Sequence, residues 1–261
     1  MKIGVIQLCS TLNPEENIRK VRFLMQQAVQ EGVEGVFLPE CFYSMSDGLS
    51  ATPYVVQEGN EHYREIKNLA IDFNLPILSG TATYKTEDGK GVVNRNLCFT
   101  ADGNKLAYYD KMHLFHCQLN QGQTSIDESQ IYTAGTRPHS FSWQGFTIGQ
   151  TICFDLRFPQ QFQNYLQQGV DLFTVPSAFT HPTGLAHWHT LIRARAIETQ
   201  SFVVAAAQWG EHNERMRSFG HSLVVDPWGE VLADGGEGEK LITAELEYWR
   251  VESSRKAIPL D

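Results

Sequence analysis

The sequence predicts an α/β fold built on a mixed sheet and organised as one domain over residues 1–261. Three observations carry this prediction. Short apolar strand patterns alternate with helical ones, as where Ile3 to Leu8 precedes the one-sided stripe Ile18, Val21, Met25 and Ala28. Hairpin turns at Glu87-Asp88-Gly89 and Asp102-Gly103 interrupt that alternation and add antiparallel strands to a parallel core. No linker, low-complexity tract or short-period repeat divides the chain.

Each element follows from local chemistry. Asn13-Pro14-Glu15-Glu16 supplies a cap, a proline in the first turn and an early acid, so a helix starts there. Gly35 to Leu38 is a short buried strand closed by Pro39-Glu40. A second helix over about Glu61 to Phe73 turns Ile66, Leu69, Ala70 and Phe73 inward. Pro76 to Tyr84 returns as one strand, followed by strands at Val92 to Thr100 and Lys105 to Tyr109. Residues 116–137 are polar and without period, and a loop of that length in a compact domain is usually functional. Phe146 to Ile152 reads as a strand, and Pro159 opens a helix that Gly169 stops. Asp171 to Val175, Phe202 to Ala207, Ser222 to Val225 and Leu241 to Leu246 complete the strands, with a helix from about Ala186 to Thr199.

Bulk properties exclude several function classes. Hydrophobic residues are 42% and charged residues 20%, ordinary values for a soluble globular chain. A formal net charge of −9 argues against nucleic-acid and anionic-membrane partners. No apolar run reaches the length of a membrane span, and Met1 to Ile6 reads as a strand rather than a signal peptide. The five cysteines are scattered without paired spacing, which predicts reduced thiols and a cytoplasmic location.

Glu40, Lys111 and Cys153 each stand just beyond the carboxyl end of a predicted strand, the rim where open α/β sheets bind ligands. Their chemistry is complementary. A thiol with an ordinary pKa of about 8.5 needs help to become a nucleophile at neutral pH. A carboxylate can take its proton, and an ammonium can stabilise the thiolate and then an oxyanion. Read singly, Glu40 is a solvated loop acid, Lys111 a surface charge paired with Asp110, and Cys153 small core filler. A competing pattern is a metal-dependent hydrolase using His113, His116 and Cys117 with His187 and His189. That set lacks the spacing of a third ligand, so no metal is expected. A catalytically silent binding protein is the remaining alternative, and no Gly-x-Gly-x-x-Gly suggests a dinucleotide cofactor.

Leu38-Pro39-Glu40, Lys111-Met112-His113-Leu114 and Cys153-Phe154-Asp155-Leu156-Arg157-Phe158-Pro159 together resemble the three motifs of the nitrilase-like carbon–nitrogen hydrolases, in the same order and over essentially the whole chain. Ser177-Ala178-Phe179, Thr183-Gly184, the run Leu191 to Gln200 and Val224 to Gly229 are similar to its Nit branch. The resemblance implies an α-β-β-α sandwich, a Glu40–Lys111–Cys153 catalytic set, homodimerisation and no cofactor. It also implies that Glu128 orients lysine and substrate, and that Lys111 and the Phe154 backbone N–H hold the oxyanion. It places Phe179 and Thr183 near the bound acyl group; Arg157, close behind Cys153, can fork onto a ketoacid carboxylate, the alternative being an ion pair with Asp155 or a neighbouring helix. Within the branch it implies cleavage of deaminated glutathione to 2-oxoglutarate and cysteinylglycine through a thioester; the alternative is ω-amidase action on 2-oxoglutaramate. Two positions depart from the pattern: Phe154 replaces a tyrosine, and His189 stands where relatives carry an acid.

Overall fold

A computed structural model describes residues 1–117 and 126–260. Two mixed sheets lie face to face between two helical layers, in the α-β-β-α order. In the first sheet the strands run Lys240–Glu245, Lys2–Gln7, Gly35–Phe37, Ile77–Ser79, Val92–Phe99 and Thr81–Lys85, with Lys105–Asp110 also pairing to Val92–Phe99. Its three parallel strands are Lys2–Gln7, Gly35–Phe37 and Ile77–Ser79, and the rest pair antiparallel. The second sheet runs Val231–Asp234, Leu223–Val225, Phe202–Ala205, Leu172–Thr174, Phe146–Gln150 and Ser140–Trp143. Again three neighbouring strands are parallel, here Phe146–Gln150, Leu172–Thr174 and Phe202–Ala205, with antiparallel strands outside them. Both sheets therefore follow one plan.

Three apolar layers hold this arrangement. Ile3, Val5, Phe37 and Leu78 meet Ile148, Leu172, Val204 and Val224 between the sheets. Helices α1 (Pro14–Gln30) and α2 (Glu61–Phe73) cover the outer face of the first sheet with Val21, Met25, Ile66 and Leu69. Helices α3 (Pro159–Leu166) and α4 (His181–Thr199) cover the second with Phe162, Trp188 and Ile192. Burying each such side chain contributes about 1.5–3 kcal/mol relative to exposure. The parallel strands are apolar on both faces because each is covered twice.

The predicted caps and turns form. Asn13 Oδ1 accepts from the Glu15 N–H at 2.9 Å, and Pro14 sits in the first turn of α1. Four details differ from the sequence expectation. The single strand expected over Pro76 to Tyr84 is broken at Gly80, which adopts φ +151° with Leu38 and Phe42 where a Cβ would stand. Helix α4 starts at His181 rather than Ala186, because Pro182 suits a first turn and Gly184 lets the helix approach Phe219. A fifth helix, α5 (Trp249–Ala257), carries no apolar stripe to betray it. Val251 alone anchors it in the core between the sheets, and ion pairs add to this, Arg250 to Asp226 at 2.8 Å and Arg255 to Asp171 at 3.0 Å. Finally, the stretch expected to be irregular contains a short pair of strands, His116–Cys117 with Ile126–Asp127, and a 3₁₀ turn over Glu128–Gln130. Residues 118–125 of that expected loop lie outside the described residues.

Gly135 marks a close approach that the rim depends on. Its N–H donates to the Lys111 carbonyl at 2.8 Å, and a Cβ there would fall 2.1 Å from the Asp110 carbonyl oxygen. Gly135→Ala is therefore expected to push the Lys111 segment aside and destabilise the protein by about 1–3 kcal/mol. Urea unfolding measures this, and an unchanged midpoint would contradict the packing.

Candidate active site

Glu40, Lys111 and Cys153 come from three strand ends that open onto one rim. Glu40 follows Gly35–Phe37 on a turn pinned to the neighbouring segment: Thr81 donates its N–H to the Pro39 carbonyl at 3.2 Å, and the Cys41 N–H donates to Thr81 Oγ1 at 2.8 Å. Lys111 follows Lys105–Asp110 and donates its N–H to the Asn94 carbonyl at 3.0 Å. Cys153 follows Phe146–Gln150 and begins a 3₁₀ turn with φ +45°, a left-handed conformation unusual for a residue with a side chain. Its own N–H donates to the Pro176 carbonyl at 3.0 Å, which holds the bend. Strain of this kind is characteristic of residues that must point out of a sheet.

The Lys111 ammonium is sealed between two carboxylates. Its Nζ lies 2.8 Å from Glu40 Oε1 and 2.8 Å from Glu128 Oε2. Lys111 is 1% exposed and Glu40 2%. Glu40 is further held by Asn94, whose Nδ2 donates to Oε1 at 2.8 Å, and by the Ala178 N–H, which donates to Oε2 at 2.8 Å. Gln208 Nε2 donates to the Glu40 carbonyl at 2.9 Å and to Ser10 Oγ at 2.7 Å, tying the two sheets together at this rim. Glu128 accepts the Phe115 N–H on Oε2 at 2.7 Å, while its own N–H donates to the Phe115 carbonyl at 2.8 Å. Glu128, legible in the sequence as a loop acid, thus closes the cluster.

The electrostatics divide the labour. Burial alone would lower the Lys111 ammonium, but the charges of Glu128 and Glu40 outweigh it and hold it well above the ordinary lysine range. Lys111 is therefore a permanent cation and hydrogen-bond donor, not a base. Burial pushes the Cys153 thiol well up, the Glu40 charge adds to the rise, and Lys111 pulls against both. A thiol raised in this way needs a base to take its proton before its sulfur can act as a nucleophile. Burial likewise pushes the Glu128 carboxyl up, with Lys111 opposing and Glu40 adding to the rise.

Cys153 also lines a small pocket with Phe115, Phe154, Arg157, Phe179 and Thr183. The structure thus brings Arg157, Phe179 and Thr183 to one cavity with the sulfur. The Arg157 guanidinium lies 5.2 Å from the Phe179 ring centre, and its Nη2 is 3.3 Å from His187 Nδ1. It has no carboxylate partner among the described residues. The Asp155 carboxylate, its alternative partner in the sequence reading, is committed elsewhere. Fully buried, Asp155 accepts Tyr109 Oη at 2.8 Å and the Ile152 N–H at 2.9 Å on one oxygen. On the other it accepts the His113 N–H at 3.0 Å and contacts His113 Nδ1 at 2.7 Å. Asp155 therefore staples the cysteine turn to the lysine segment. Asp110, the expected partner of Lys111, instead pairs with Arg95 at 2.6 Å.

The histidines weighed as the competing metal pattern are engaged separately. His113 is taken by Asp155, His187 by Arg157, and His116 packs edge-on against Phe154 at 5.8 Å. Sequence reasoning missed Asn94, Asp155 and Gln208 as parts of the site. One signal was available: Asn94 and Asn96 are alternate polar residues on one face of a strand, with Arg95 between them on the other face, and both asparagines are buried.

Comparison with known proteins agrees with this geometry. The family profile described as Carbon-nitrogen hydrolase matches residues 2–256. The nitrilase and fragile histidine triad fusion protein NitFhit of Caenorhabditis elegans is 38% identical over 99% of this chain, which spans only 59% of that protein. A Synechocystis protein named deaminated glutathione amidase is 34% identical, with 98% of this chain and 95% of that one covered. The crystal structure of Saccharomyces cerevisiae Nit3, from branch 10 of the nitrilase superfamily, superposes with a TM-score of 0.88 at 30% identity, covering 100% of this chain and 94% of that one. The chain belongs to the carbon-nitrogen hydrolase family and is an amide-hydrolysing enzyme of it.

Proposed function

We propose that this protein is one catalytic domain that hydrolyses the amide bond of deaminated glutathione through a Cys153 thioester, acting as a cytoplasmic homodimer. The observation that carries the reading is a buried thiol sharing one rim with a doubly paired ammonium and a carboxylate. Glu40 takes the Cys153 proton as the sulfur attacks the amide carbonyl. Lys111 and the Phe154 backbone N–H hold the oxyanion, and one such donor is worth about 10²–10³ in rate. Glu40 returns the proton to the departing amine of cysteinylglycine as the C–N bond breaks. Water then attacks the thioester with Glu40 as base, releasing 2-oxoglutarate and restoring the thiol. Glu128 keeps Lys111 in position throughout.

Two features support the ketoacid end of the substrate. Arg157 offers a fork without a competing carboxylate among the described residues, and Phe179 stacks beneath it. The pocket beside Cys153 suits the ketoacyl half, so that the cysteinylglycine half leaves toward solvent. The names carried by relatives such as the Synechocystis protein point to the same compound. Five free cysteines accord with a reducing compartment.

Side-by-side kcat/KM values on deaminated glutathione and 2-oxoglutaramate test the assignment. The former is expected to be the better substrate, with hydrolysis lost in Cys153→Ala. A preference for the smaller amide would make the enzyme an ω-amidase. Replacing Arg157 by alanine should cost about 10- to 100-fold in kcat/KM on ketoacid amides, the worth of a charged hydrogen bond. A neutral amide of similar size should lose far less. The state of the sulfur is accessible separately. Ultraviolet difference absorbance between the wild type and Cys153→Ala should show no thiolate at pH 7, with one developing only above the ordinary cysteine range. A thiolate signal at neutral pH would mean that the Lys111 field overrides burial.

A further inference from the structure

A second group of chemically active side chains lies outside the Cys153 pocket. His189 comes from α4, His221 from the turn after the strand Arg217–Phe219, and Asp234 from the end of Val231–Asp234. His189 Nε2 stands 3.0 Å from Asp234 Oδ2. His221 Nδ1 stands 2.9 Å from Oδ1 and 3.1 Å from Oδ2 of the same carboxylate. One nitrogen from each ring and one carboxylate oxygen all fall within 4.8 Å of one another. Among the described residues no other three histidine, cysteine or acidic side chains converge in this way.

We propose that His189, His221 and Asp234 form a binding site for a zinc-class divalent cation that clamps α4 to the strand ending at Asp234. Two imidazoles and one carboxylate are a donor set that favours zinc and its neighbours over magnesium or calcium. Bonds of about 2.0–2.1 Å in a tetrahedral site separate ligand atoms by roughly 3.3 Å. The observed nitrogen–oxygen separations of 2.9 to 3.1 Å need to open by only a few tenths of an ångström. The side chains of His189, His221 and Asp234 are 38%, 26% and 34% exposed, so solvent can reach the remaining coordination position.

The ligands are also held in place from behind. His221 sits in the left-handed region at φ +55°, a conformation unfavourable for a residue with a side chain. Trp188 Nε1 donates to its carbonyl at 2.7 Å, and its own N–H donates to the Gly236 carbonyl at 2.9 Å. The Phe219 ring stacks on the His221 ring at 4.6 Å and 19°. Asp234 Oδ1 accepts the Gly236 N–H at 2.8 Å, a bond that orients the carboxylate. Phe219 also donates its N–H to the Phe179 carbonyl at 3.0 Å, so the clamp lies directly behind a wall of the substrate pocket.

Calorimetric titration of the full chain with Zn²⁺ tests the site, using the Cys153→Ala background so that the catalytic sulfur does not compete. One equivalent should bind, and Mg²⁺ should give no comparable signal. His189→Gln and Asp234→Asn, each confirmed as folded by circular dichroism, should weaken Zn²⁺ binding about tenfold or more. The background protein should gain thermal stability with Zn²⁺ and the two variants should not. No stoichiometric binding to the background protein, or equal affinity in both variants, would overturn the proposal. The titration contains no amide, so its outcome is independent of the substrate assignment.

Discussion

A lysine ammonium that is almost wholly removed from water must be paired, and the rest of the rim is arranged around that requirement. Taking an ion out of water costs several kcal/mol unless opposite charge and hydrogen bonds replace the solvent. Lys111 meets the condition with Glu40 on one side and Glu128 on the other. The same pairing removes the lysine from acid–base chemistry and leaves it as a fixed positive charge beside the sulfur. Two carboxylates around one cation also need donors of their own. Asn94 and the Ala178 and Phe115 N–H groups supply them, so the cluster reaches into both sheets and the polar segment before Gly135.

Asp155 is the second point on which the arrangement turns. It lies in the cysteine turn, yet Tyr109 and His113, two of the residues that bond it, belong to the lysine segment. Cys153 and Lys111 are thus positioned relative to each other by a buried carboxylate that bonds neither side chain. This link explains why a charged residue next to the nucleophile is fully buried. The sandwich makes the link possible, because the parallel strands of both sheets end at one rim and Gln208 bridges them there.

The sequence was most informative where local chemistry and burial agree. The cap at Asn13, the stripes of α1 and α2, and the turns at Gly89 and Gly103 depend on near neighbours and form as read. Glu40, Lys111 and Cys153 were legible because each follows a strand at once, so the strand end itself delivers it to the rim. The reading failed where distant contacts override the local pattern. Gly80 breaks a strand because Leu38 and Phe42 leave no room for a Cβ, and α5 is docked by the single buried Val251 with flanking ion pairs rather than by an apolar stripe.

By itself the sequence determined the α/β plan, the caps, and which thiol, acid and amine stand at strand ends, since these follow from periodicity and adjacent residues. Only the tertiary structure decided who pairs with whom. Lys111 takes Glu128 and Glu40 in place of its neighbour Asp110, which goes to Arg95. Asp155 takes Tyr109 and His113 and leaves Arg157 unpaired by acid among the described residues, and His189 joins His221 at Asp234. The reason is physical: a buried charge seeks whichever partner the packed sheets bring within about 3 Å, and chain separation does not enter that choice.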